Sequence, residues 1–178
     1  MIKVTYKSAS SAQDTRPIIF HIFAFTAHED AREGYRLYRL RPDKTSTSDG
    51  GQIWETCDES SSVDGFMIFD DPDVAVHPSQ HKDFMSLKPG ESWTIRERLQ
   101  GEMWTELPSD YQPGDVFRYR FKGTTVDWWD WGDAEEHANT TVKLPCFIVG
   151  QVTDPADNGG RPKLVVPASG SVEFKVVG

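Results

Sequence analysis

Long hydrophobic runs are missing from this 178-residue sequence, as are an excess of positive charge, a set of paired cysteines and helical periodicity. With no stretch of about 18 apolar residues, a membrane-spanning helix is excluded. Residues 1–7 lack the apolar centre of a secretory signal. A cytoplasmic location is therefore expected, although a secreted chain trimmed of its signal would read the same way. The formal net charge is −9, so nucleic acid and anionic membrane surfaces are not expected as partners. Cys57 and Cys146 are too few for a disulfide framework. Two reduced, largely buried thiols are expected, with a single bridge as the alternative in an oxidising compartment.

Several catalytic signatures are missing too. No nucleophile elbow and no glycine-rich phosphate loop occurs. His28-Glu29 is followed by Arg32 where the second histidine of a zinc-protease helix would stand. The acidic groups Asp70, Asp71 and Asp73 match no calcium loop, and no cofactor is expected.

What the chain has is aromatic mass. Ten Phe, six Trp and five Tyr make a core of large rings the natural solution. The length suits one domain, residues 1–178. Strand signals dominate at 18–26, apolar on both faces and thus central, and at 35–40, 53–54, 66–69, 93–99, 116–121, 142–149 and 172–177. Short turns fit the segments around 27–38 and 133–138. Residues 44–51 form a polar loop. In Val116-Phe117-Arg118-Tyr119-Arg120-Phe121 aromatics and arginines alternate, as a half-buried strand requires. An all-β sandwich follows, with long loops in its N-terminal half.

Two turns carry a resemblance. Leu87-Lys88-Pro89-Gly90-Glu91-Ser92 and Tyr111-Gln112-Pro113-Gly114-Asp115 each hold a four-residue turn, begun by Lys88 or Gln112, with proline second and glycine third, the chemistry of a type II turn. Each leads into a strand. The pair resembles the turns of immunoglobulin-like sandwiches, including intracellular proteinase-inhibitor domains and the pro-regions of some fungal metalloproteases. The match runs from Leu87 to Tyr119, implies an antiparallel immunoglobulin-like sandwich, and transfers no functional residue.

The most unusual stretch is Asp127-Trp128-Trp129-Asp130-Trp131. A two-residue hairpin at Lys122-Gly123 would set Phe121 against Thr124, Tyr119 against Val126 and Phe117 against Trp128 on a core face. The other face would then pair Arg118 with Asp127, a favourable charge match, and Arg120 with Thr125. Trp129, Trp131, Arg118, Arg120 and Asp127 are on this basis the candidate ligand-binding residues: flat rings beside guanidinium and carboxylate groups suit a sugar. The alternative is that loops cover the same rings as packing.

No metal site is expected, and solvated or capping histidines are the default. The nearest candidates are His77, His81 and His137. His77 and His81 share a face on a helix, but stand about 13 Å apart on extended chain. Three functions stay open. The first is a non-catalytic domain that binds a small molecule, carbohydrate above all, or a protein. The second is an enzyme with a histidine–carboxylate site, with His137 and Asp133 or Glu136 nearest the rings. The third is a proteinase inhibitor acting through the 44–51 loop.

Overall fold

In a computed structural model of the chain the described residues are 1–7, 15–25, 34–42, 51–57, 72–96, 107–145 and 151–178. In chain order the strands are β1 (Ile2–Thr5), β2 (Ile18–His21), β3 (Tyr35–Pro42), β4 (Gln52–Thr56), β5 (Val74–Val76), β6 (Phe84–Leu87), β7 (Ser92–Ile95), β8 (Val116–Phe121), β9 (Thr124–Val126), β10 (Trp129–Trp131), β11 (Val142–Leu144), β12 (Leu164–Val166) and β13 (Ser171–Lys175). The described chain is all-β and its pairings are antiparallel, with 3-10 turns at Phe23–Phe25 and Pro155–Asn158 in place of long helices. None of its helices is long and apolar enough to cross a membrane. The expected strand at 66–69, residues 97–99 and 146–149 of two others, residues 44–50 of the polar loop, His28 and Cys146 lie outside the described residues.

Contacts gather into two units interleaved along the chain. Unit 1 comprises Met1–Ala31, Phe66–Glu97 and Thr124–Val166; unit 2 comprises Arg32–Gly65, Arg98–Gly123 and Pro167–Gly178.

In unit 1, β2 lies between β10 and β6, and all four of its residues are buried, as its two apolar faces require. β1 pairs with β7, β11 with β5, and β12 with β9. Trp128 is 1% exposed and packs in a cluster with Ile19, Phe84, Val142, Leu144 and Val152. The turn before β7 is type II: Glu91 N donates to Lys88 O at 2.9 Å, and Gly90 takes a φ of 87° that a side chain would strain.

The described residues of unit 2 form one sheet, ordered β13-β8-β3-β4. The second Pro-Gly turn precedes β8, with Asp115 N donating to Gln112 O at 3.1 Å and Gly114 at φ 100°. Alternation then sorts β8: Phe117 and Phe121 are buried, while Arg118 is half-exposed and Arg120 exposed.

The expected hairpin at Lys122-Gly123 does not form. β8 takes β13 on one side and β3 on the other, and β9 pairs with β12. Arg118 faces Glu173 rather than Asp127, donating Nε at 3.0 Å and Nη2 at 2.6 Å to its carboxylate. β13 offers what the local partner offered, an opposite charge, and adds a Phe117–Phe174 stack at 5.8 Å. The distant strand therefore wins the register.

Candidate functional site

β10 is an edge strand whose Trp129 and Trp131 stand opposite Phe20 and Ile18 of β2. Alternation puts both rings on one side of the sheet, and Trp128 and Asp130 on the other. The two rings differ in exposure. Trp129 is buried at 8%, and its Nε1 donates to Pro162 O at 2.8 Å. Trp131 is half-buried and meets Trp129 edge-on, with centroids 5.2 Å apart and planes at 80°. The guanidinium of Arg16, an exposed residue, lies over the Trp131 ring at 4.2 Å.

Polar groups fix this corner. Asp130 Oδ1 accepts the Trp131 N–H at 2.6 Å and also holds the Arg161 guanidinium through Nε and Nη2. Asn158 is buried, donates to Trp129 O at 3.3 Å, and accepts Arg161 N–H at 3.1 Å. Behind Trp131 the carbonyl oxygen meets His137 Nε2 at 2.7 Å, so that nitrogen carries the proton, and Nδ1 pairs with Thr140 Oγ1 at 2.9 Å. Gly132 follows at φ 115°, where a Cβ would come within 3.0 Å of His137 Nε2. Position 132 thus excludes a side chain on both conformation and space.

The residues proposed for acid–base work are used for structure. Asp133 Oδ1 accepts the N–H groups of Glu135 and Glu136, and Glu136 Oε2 accepts Asp133 N–H at 3.0 Å, a reciprocal capping box over the expected 133–138 turn. His77 Nδ1 pairs with Thr140 O at 2.9 Å. His77 and His81 do share one tight turn, since His81 N donates to His77 O at 3.0 Å. His81 Nδ1 accepts Asp83 N–H at 3.4 Å. No group of three metal-ligating side chains occurs among the described residues.

Asp127, expected on the surface, is an interior acceptor. Its oxygens take Trp128 N–H at 2.8 Å and Val152 N–H at 2.6 Å, and both lie 3.0 Å from His21 Nδ1. The His21 ring stacks on Phe23 and tilts against Phe84, and the residue is 1% exposed. A carboxylate-oriented imidazole is chemically a general base, yet this one is walled by rings on the described side chains. Nearby, Asp157 accepts Trp128 Nε1–H at 2.6 Å, and burial holds its carboxyl above the usual range.

Of the five expected ligand residues, β10 brings Trp129 and Trp131 together in unit 1, while Asp127 turns inward. Arg118 and Arg120 belong to β8 in unit 2. Arg16, Asp130 and Arg161 were not expected. Asp130, set between two tryptophans on a strand, carried a readable signal; the two arginines are distant in sequence and carried none. The free thiol of Cys57 is half-buried, and burial pushes it up to about 11, which leaves little thiolate at neutral pH. No protein-family model matches the chain, and neither the curated proteins nor the solved structures contain a match.

Proposed function

We propose that this chain is a non-catalytic binding protein on an immunoglobulin-like sandwich, with carbohydrate as its ligand and Trp131, Arg16 and Arg161 as its recognition surface. The immunoglobulin-like reading rests on the two Pro-Gly turns that open β7 and β8. The functional reading rests on one observation: a half-buried indole on an edge strand, with the guanidinium of the exposed Arg16 over its ring and that of Arg161 6.0 Å from the neighbouring Trp129 ring. The apolar C–H face of a pyranose stacks on an indole, and its vicinal hydroxyls match the paired donors of a guanidinium. The surface is preorganised, because Trp129, Asn158 and His137 clamp the strand from behind.

Titration of tryptophan fluorescence with cello-, xylo-, malto- and chito-hexaose tests the reading. At least one sugar is expected to quench the intact protein. Trp131→Ala should abolish that response while near-ultraviolet circular dichroism keeps its shape. Silence from every sugar, or an unchanged response in the variant, refutes the assignment.

A further inference from the structure

The sheet of unit 2 ends on β13, and its core face is uncovered there. That face carries Tyr35, Leu37, Phe117 and Phe121, all buried. Register places Val172 and Phe174 of β13 on the same side, opposite Tyr119 and Phe117. Burial does not extend to them: Val172 is 62% exposed and Phe174 half-buried. An apolar face thus runs out into water at its last strand.

The backbone of this edge has a definite phase. Val176 N donates to Asp115 O at 2.9 Å, and alternation carries that orientation to Phe174 and Val172. Ser171, Glu173 and Lys175 therefore turn their N–H and C=O groups away from β8, where no strand meets them among the described residues. An antiparallel strand bonds to this edge only if its own outward residues stand opposite these. For two copies of β13 related by a two-fold axis, that condition allows a register centred on any of residues 172–175. Centring on Glu173 or on Lys175 sets a charge against its own copy, which destabilises a sheet. Centring on Val172 sets Glu173 against Ser171. Centring on Phe174 sets Glu173 against the second copy's Lys175 on both sides of the axis. It also sets Phe174 against Phe174 and Val172 against Val176 on the apolar side.

We propose that β13 is the interface of a two-fold dimer of this chain, in which the two strands pair antiparallel about Phe174 and join two sheets edge to edge. Both charges are free to take part. Arg118 occupies Glu173 Oε1, but that carboxylate is 50% exposed and its Oε2 is open to a second cation. Lys175 is exposed and forms no ion pair among the described residues. A second copy fits better than a foreign segment because the strand is its own complement about Phe174, with Glu before the axis and Lys after it. The opposite edge of the sheet lacks this property. Glu55 is the one ionisable side chain of β4, so no self-pairing of that strand joins opposite charges. Pairing of β13 adds about four backbone hydrogen bonds and covers Val172. The inference is independent of the Trp131 surface, which belongs to β10 in unit 1.

Sedimentation velocity of the full chain from about 1 to 500 µM tests it, with a reversible dimer of dissociation constant about 1–100 µM expected. Lys175→Glu sets like charges opposite on both sides of the axis. It should weaken the dimer roughly tenfold or more without changing circular dichroism, while Lys175→Arg keeps it. Single cysteines read the register, in a Cys57→Ser, Cys146→Ser background. Phe174→Cys should form an intermolecular disulfide on mild oxidation, because the two Cα atoms on the axis stand about 4.5 Å apart. Glu173→Cys and Lys175→Cys should cross-link roughly tenfold more slowly, since neither then faces its own copy. A monomer over the whole range, parental association in Lys175→Glu, or faster cross-linking at 173 or 175 than at 174 overturns the proposal.

Discussion

In unit 1 the buried polar residues His21, His137 and Asn158 belong to closed sets, while the Ser79 hydroxyl has no partner among the described residues. His21 meets Asp127, which also takes two backbone N–H groups; His137 spends both nitrogens; Asn158 joins Trp129 to Arg161. Among the described residues of unit 2 the buried polar residue is Arg39, 4% exposed, and its partners reach water. Asp110 accepts Nη1 at 2.7 Å with a carboxylate 64% exposed, Asp115 accepts Nη2 at 2.5 Å, and Nε has no partner among the described residues. Closed sets within apolar packing depend on shape and tolerate changes of solvent. A charge tied to exposed partners tolerates changes of shape and depends on pH and salt.

The largest effect should come from the packing of unit 1. Trp128→Ala removes a ring that touches the central cluster and also strands the Asp157 carboxylate that accepts its Nε1–H. Deleting a buried aromatic of this size costs roughly 3–5 kcal/mol. Urea unfolding should show that loss, and a loss below about 1 kcal/mol would mean the cluster is not the core of the unit.

Asp127→Ala comes next. It leaves two backbone donors and the His21 Nδ1 without their acceptor inside a part-buried site. Each orphaned buried group costs about 1–3 kcal/mol, and water can enter to serve some of them, so a total of roughly 2–4 kcal/mol is expected by urea unfolding. Were Asp127 instead the surface ligand residue that a local hairpin makes it, the substitution would change stability by less than about 0.5 kcal/mol.

That hairpin shows where sequence reasoning stops. Alternation in β8, burial of β2 on both faces, the two Pro-Gly turns and the placing of Trp128 away from Trp129 and Trp131 were legible, because each depends on neighbours within a few residues. The choice of strand partner was not. Arg118 is satisfied equally by Asp127 nine positions on and by Glu173 fifty-five positions on, and only the surrounding Phe117–Phe174 stack and the competing claim of β3 decide between them. The candidate site suffered the same limit. Its rings were visible, whereas Arg16 and Arg161, which give it charge, arrive from other parts of the chain.

The smallest effect separates the units by the sign of their pH response. The Arg39 hydrogen bond holds Asp110 below the usual carboxylate range. Asp115 is held down first by the Gln112 N–H and then by Arg39. A folded carboxyl lowered in this way contributes stability that is full above its unfolded pKa, near 4, and disappears as pH falls through the folded value. Asp157 in unit 1 is raised by burial, so its contribution is full below the unfolded pKa and is lost as pH climbs through the folded one. Acidification from pH 5 to pH 3 should therefore weaken the β3–β8 amides of unit 2 while Asp157 moves unit 1 the other way. Amide exchange measured strand by strand across that range reads the difference. In the double variant Asp110→Asn, Asp115→Asn the unit 2 response should flatten, whereas Asp157→Asn should leave it intact. If the double variant loses unit 2 protection as steeply as the parent below pH 4, the acid sensitivity lies elsewhere and Arg39 is held by packing rather than by its carboxylates.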